Sequence, residues 1–281
     1  MIIDKKSQSK DYIYHDEDGV ALIGTLLFQE DLSPKVVLID VHGGAWTQGD
    51  RFSNAAIHEK LVAMGMAIFA IDFRMGPEFK FPKSIIDINK AVRWLKSNIR
   101  TMGIDPNLFG GLGTSSGGHQ IILSALLPKD ARYLNQSETQ NNINNNDACL
   151  DFVIAGWPIL DPFERYEMAK NKKIDFLIKA HDDYWPTLES MKLGNPMSIM
   201  EKKSFTSLPP IMILQGMADE NVNHLQSDQF KFFYEKSGGI IDLIKFENQP
   251  HAFLIKSLDC EDAKFAFEKI KHFIEQQLTA R

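Results

Sequence analysis

Cysteine is nearly absent: Cys149 and Cys260 are the only two in 281 residues, and they lie far apart. They form no disulfide framework, and no C-x-x-C spacing points to a zinc site. Long apolar runs are missing as well. The longest, from Ala63 to Ile71, has about half the length a membrane span needs. The opening Met1-Ile2-Ile3-Asp4-Lys5-Lys6 lacks the apolar core of a secretory signal. There is no excess of basic charge either. Thirty-one Lys and Arg face 37 Asp and Glu, a net charge of −6, which argues against a nucleic-acid groove and against attraction to anionic membranes. What remains is an ordinary globular composition with enough chain for a large core. The expectation is a reduced, cytoplasmic protein folding as one domain over residues 1–281, and a homodimer is compatible with it.

Short apolar runs alternate with helical patterns along the chain. A hairpin opens it, with Tyr12-Ile13-Tyr14, a turn at Asp16-Glu17-Asp18-Gly19, and an arm from Ala21 to Phe28. Val36–Val41, Ala67–Ile71, Leu108–Leu112, Phe152–Gly156, Ile211–Leu214 and Ile240–Phe246 read as further strands. Helical spacing marks Asn54 to Met64, Ile85 to Ile99, Gly118 to Leu127 and Asp259 to Leu278. In the second of these, Ile85, Ile88, Val92 and Leu95 share a face, while Asp87, Lys90, Arg93 and Lys96 spread over the other sides. The alternation predicts an α/β fold with eight strands, a mostly parallel sheet and helices on both faces.

Two stretches break the rhythm. Residues 135–147 are polar and Asn-rich, which predicts a flexible surface loop. Residues 162–208 delay the next strand and contain Phe163, Tyr166, Phe176, Tyr184 and Trp185. An insertion of this size predicts a short helical cap, with His181-Asp182-Asp183 on its exposed side.

The sharpest chemical signal is Gly113-Thr114-Ser115-Ser116-Gly117 between a strand and a helix. G-x-S-x-G in that setting is a nucleophile elbow, in which a tight turn thrusts the serine hydroxyl into the cleft. Other glycine-rich readings fail here. A dinucleotide fingerprint starting at Gly111 needs glycine where Ser116 stands, and His119-Gln120 replaces the Lys-Ser/Thr of a P-loop. A second glycine turn, His42-Gly43-Gly44-Ala45-Trp46, ends an earlier strand. The backbone N–H groups of Gly44 and Ala45, with that of Ser116, are candidate donors to an oxyanion. On that reading Ala45→Pro deletes one donor.

A serine nucleophile needs a base, and the base an orienting acid. His251 lies in the loop directly after the last strand, where its ring can reach the sheet's C-terminal edge. Asp219 occupies the loop after the preceding strand, with Glu220 as the alternative. Metal hydrolysis fits less well, since His58-Glu59 lacks the second histidine of H-E-x-x-H. Trp46, Trp157 and His42 are candidate walls of the substrate pocket, the alternative being that both tryptophans fill the core.

With these residues in place, the chain resembles the α/β-hydrolase superfamily, whose members carry Ser, acid and His in this order. The resemblance runs from about Val36 to Phe273 and is to the esterase branch. That branch holds hormone-sensitive-lipase-like carboxylesterases and the feruloyl esterase–kynurenine formamidase group. It rests on the His42 turn, Asp72-Phe73-Arg74-Met75-Gly76-Pro77-Glu78 with Phe81-Pro82, the elbow, and the Asp219 and His251 loops. Ala45-Trp46 is closer to the feruloyl esterase and formamidase side. The resemblance implies hydrolysis of a small-molecule carboxylic ester through an acyl-enzyme, without cofactor or metal. The alternatives are an aryl-formamidase acting on a formylated anilide, and a non-catalytic small-molecule-binding protein on the same scaffold.

Overall fold

A computed structural model describes residues 7–17, 19–134 and 147–280. The Asn-rich segment therefore lies, except for Asp147, outside the described residues. Eight strands form one sheet in the order β1-β2-β4-β3-β5-β6-β7-β8. β1 (Ser7–Glu17) and β2 (Val20–Gln29) make the antiparallel hairpin. It runs further than the sequence reading allowed: Asp16 and Glu17 are still paired, with Ala21 and Val20. Gly19, at φ 75°, lets the chain reverse in fewer residues than the expected four.

From β4 (Ala67–Ile71) onward across the sheet, through β3 (Val36–Val41), β5 (Leu108–Thr114), β6 (Phe152–Gly156), β7 (Ile211–Gly216) and β8 (Ile241–Phe246), every pairing is parallel. The central strands are buried on both faces, which is why they read as unbroken apolar runs. β3 shows the division. Val37, Ile39 and Val41 face one core with α2 (Lys83–Asn98) and α3 (Ser116–Leu126). Val36 and Leu38 face the other, with α1 (Ala55–Ala63) and the closing helix α10 (Glu261–Thr279).

The insertion between β6 and β7 folds into four helices: α4 (Pro162–Lys172), α5 (Asp175–Tyr184), α6 (Leu188–Leu193) and α7 (Pro196–Lys202). Their starts are written locally. Asp161 accepts from the N–H groups of Phe163 and Glu164 with Pro162 in the first turn, and Asn195 with Pro196 repeats the device for α7. Thr187 and Ser190 cap α6 reciprocally. After β7 come α8 (Leu225–Lys236) and, past β8, the single turn α9 (Phe253–Lys256).

Two expectations about the surface are corrected. Asp87 and Arg93, read as lying off the apolar face of α2, are buried. The loop after β4 brings Arg74 onto the helix, where Asp87 accepts from the Arg74 backbone N–H at 2.9 Å and from Nη2 at 2.6 Å. His181 is fully buried rather than exposed, because α5 turns that side toward the domain. Removing one partner of a buried charge pair costs about 3–5 kcal/mol. Asp87→Ala is therefore expected to lower the unfolding free energy by about that much in a urea titration. A loss under about 1 kcal/mol would show that the pair contributes little.

Candidate active site

Ser115 sits between β5 and α3 at φ 52° and ψ −119°, a conformation that few non-glycine residues adopt. Neighbouring backbone holds it there. Its N–H donates to Gly156 O at 2.8 Å, and its carbonyl accepts from the N–H of His119 at 3.0 Å. The flanking glycines are steric requirements. A Cβ on Gly117 would lie 1.9 Å from Val41 O, and one on Gly113 would lie 2.6 Å from Gly117 O. The elbow thus sits directly against the end of β3.

The parallel strands bring two distant loops to the same edge. His251 follows β8, and its Nε2 lies 3.1 Å from Ser115 Oγ. Its Nδ1 lies 2.7 Å from Asp219 Oδ2 in the loop after β7. With Nδ1–H donated to the carboxylate, Nε2 is left as acceptor for the serine hydroxyl. Burial alone would raise the Asp219 pKa, but the bond and charge of His251 and the N–H groups of Val222 and Asn221 outweigh it and hold it below the ordinary value. Gln215 Nε2 also donates to Asp219, at 3.3 Å. Glu220, the alternative acid, points to solvent.

The turn after β3 runs through three consecutive residues at positive φ: Gly44 at 123°, Ala45 at 52° and Trp46 at 66°. The Gly44 carbonyl closes it by accepting from the N–H groups of Thr47 and Gln48. Gly44 and Ala45 line the same cavity as Ser115 and His251. Ser116, one residue past the elbow, ties the two turns together: its Oγ accepts from the Trp46 N–H at 3.1 Å. That hydroxyl role was not foreseen beside the proposed one for the Ser116 N–H.

The cavity has a volume of about 670 Å3, with Trp157 and Phe176 among its walls. Two expected wall residues are elsewhere. Trp46 is 1% exposed and stacks on Tyr184 with ring centroids 5.3 Å apart, so it belongs to the core beneath the turn. Its Nε1–H donates to Nδ1 of His119, which burial pushes down to about 4 and so keeps neutral. His42 is buried against Phe73, with Nδ1 donating to Gly43 O. Neither lines the cavity.

Sequence reading missed a buried polar chain behind the elbow. Asp40 accepts from His58 Nε2 at 2.8 Å and from Asn54 Nδ2 at 3.0 Å, and Asn54 Oδ1 accepts from Thr114 Oγ1 at 3.0 Å. The signal was a carboxylate inside the otherwise apolar Val36–Val41, since a buried charge must find donors. Among the described residues, no group of three or more His, Cys, Asp or Glu could hold a metal ion, and no helix is long and apolar enough to cross a membrane.

The BD-FAE family model matches residues 27–233. The chain belongs to the BD-FAE family. Its fold is that of the α/β-hydrolases, in the esterase branch that the motifs resembled. This BD-FAE chain is 29% identical over 191 residues to esterase LipC of Mycobacterium tuberculosis, covering 66% of this chain and 45% of the relative. It is 29% identical over 204 residues to the probable carboxylic ester hydrolase LipM of the same organism, covering 69% and 43%. It thus spans about half the length of the curated relatives it matches. Among solved structures, esterase B from Lactobacillus rhamnosis superposes with a TM-score of 0.79 at 19% identity, covering 98% of this chain and 89% of that one. A Thermogutta terrifontis esterase with propionate bound gives 0.72 at 21% identity, covering 97% and 94%. At these identities the likeness is one of fold.

Ala45→Pro cannot simply delete a donor, because proline is locked near φ −65° and Ala45 sits at 52°. The variant is expected to lose about 3 kcal/mol or more along with activity. A variant with unchanged melting and hydrolysis would show that the turn does not need this conformation.

Proposed function

We propose that this chain is a serine carboxylesterase. The observation that carries the reading is the continuous relay from Ser115 Oγ through His251 to Asp219, opening on a cavity beside Gly44 and Ala45. Ser115 attacks the ester carbonyl while His251 Nε2 takes its proton. The imidazolium then protonates the leaving alcohol through the same nitrogen. Asp219 holds the tautomer and balances the imidazolium charge. The N–H groups of Gly44, Ala45 and Ser116 receive the oxyanion. Water, deprotonated by His251, releases the acid from the acyl-enzyme. The names of LipC and LipM, an esterase and a probable carboxylic ester hydrolase, support ester over formamide as substrate. The same reading takes the whole chain as one domain capped by residues 162–208, and the scarcity of cysteine supports a cytoplasmic setting.

Ser115→Ala is expected to fold normally and to lower kcat about 10⁴–10⁶-fold. Ser116→Ala keeps the nucleophile and loses only the acceptor for the Trp46 N–H, so it retains far more activity. The reverse ranking would mean that the elbow register is wrong. A second measurement concerns acyl length. Trp157 and Phe176 share the cavity lining with the charged Lys179, Asp183 and Lys256, which suits short acyl groups over lipid tails. On p-nitrophenyl acetate, butyrate, octanoate and palmitate, kcat/KM is expected to peak at or below about six carbons. A maximum at octanoate or longer would sink the small-pocket reading and leave the relay untouched.

A further inference from the structure

Arg165, on α4, is a cation that this mechanism leaves unused. It lines the cavity with Ser115 and His251 and yet is only 1% exposed. Its Nε donates to Asn221 O at 3.1 Å and its Nη2 to Asn221 Oδ1 at 2.5 Å, while the guanidinium lies 5.5 Å from the Trp46 ring centroid. Among the described residues Nη1 has no hydrogen-bond partner. Among the described residues no carboxylate pairs with it: Asp219 favours the charge from a distance, but its oxygens are taken by His251, Gln215, Asn221 and Val222.

A fixed, buried guanidinium without a counter-ion is expensive, and folds seldom keep one without return. Burial lowers its pKa only to about 10, so it stays protonated at neutral pH. Tying α4 to the acid loop does not call for it, because a neutral donor would reach Asn221 as well. Its surroundings carry the same sign. Lys179 and Lys256 also line the cavity, and the single carboxylate opposed to these cations there, Asp183, is already bonded to Lys179 at 2.6 Å. This excess of positive charge lies in a chain whose net charge is −6.

We infer that the cavity selects esters that carry a free carboxylate, with Arg165 as the residue that binds it. The inference rests on the esterase reading and narrows its substrate class. A planar carboxylate fits the in-plane N–H donors of a guanidinium, and its charge would be the counter-ion that Arg165 lacks. A charge-assisted bond of this kind in a partly dry site is worth about ten- to a hundredfold in kcat/KM.

Two matched comparisons test both halves of the ester. Monoethyl glutarate against ethyl valerate, followed in a pH-stat, places the carboxylate on the acyl side. 4-Acetoxybenzoate against 4-acetoxybenzamide places it on the leaving group. In the wild-type protein one of the two pairs is expected to favour the carboxylate about ten- to a hundredfold, mainly through KM. Arg165→Met should bring that ratio to one or below, and Arg165→Lys should restore part of it. Neutral esters preferred in both pairs would overturn the inference, leaving Arg165 as a tie between the cap and the acid loop. If Arg165→Met does not fold, the wild-type ratios decide alone. Hydrolysis of neither member of either pair, with no labelling of Ser115 by paraoxon, would instead bring down the esterase reading and this inference with it.

Discussion

The close approach between the end of β3 and the first turn of α3 is the constraint on which the site depends. A hydrogen in place of a side chain at Gly117 lets the helix start against the Val41 carbonyl, where a Cβ would lie 1.9 Å away. That contact fixes how far the chain can swing after β5, and so forces Ser115 into its strained dihedral angles. It also brings the Gly44 turn beside the serine, because that turn leaves the same strand end. The proposed nucleophile and the proposed oxyanion donors are therefore set by one piece of backbone packing rather than by two separate loops. Strain of this kind persists only where the surroundings over-determine it, and the bonds to Gly156 and His119 do so here.

The polar chain behind the elbow extends this logic into the sheet. Asp40 sits in the middle layer with no access to water, and its oxygens are met by Asn54, just before α1, and by His58 on it. Through Asn54 the chain reaches Thr114, the residue before the serine. Each link is buried, so losing one partner leaves another group unsatisfied at about 1–3 kcal/mol. The position of Ser115 is thus referred both to the strand beside it and to a helix that has no side chain in the relay.

Much of this was legible from local pattern. The strands announced themselves because a parallel sheet covered on both faces needs unbroken apolar runs, and Val36–Val41 and Ala67–Ile71 are such runs. Ser115, Asp219 and His251 could be singled out because loop positions after strands converge on one edge, so chain order stands in for space. Burial of polar residues was not legible. Asp87 has the spacing of a residue off the apolar face until Arg74 arrives from a different loop, and His181 looks like cap surface until α5 is placed. Trp46 misled for the opposite reason. Its place beside the donor turn says nothing of which way the ring points, and a positive φ at Trp46 turns it inward.

That inward ring has a mechanical consequence. Trp46 is clamped between the part of the fold that carries Ser115 and the insertion: Tyr184 stacks on it with nearly parallel rings, and Trp185 meets it edge-on at 5.7 Å. On the other side its indole is bonded to His119 of α3. Swinging α5 outward would peel Tyr184 from Trp46, uncover a deeply dry aromatic stack and drag on the turn that carries Gly44 and Ala45. The stack therefore ties the insertion to the turn beside Ser115. Phe176 and Lys179, which line the cavity, ride on the helix that this stack holds in place.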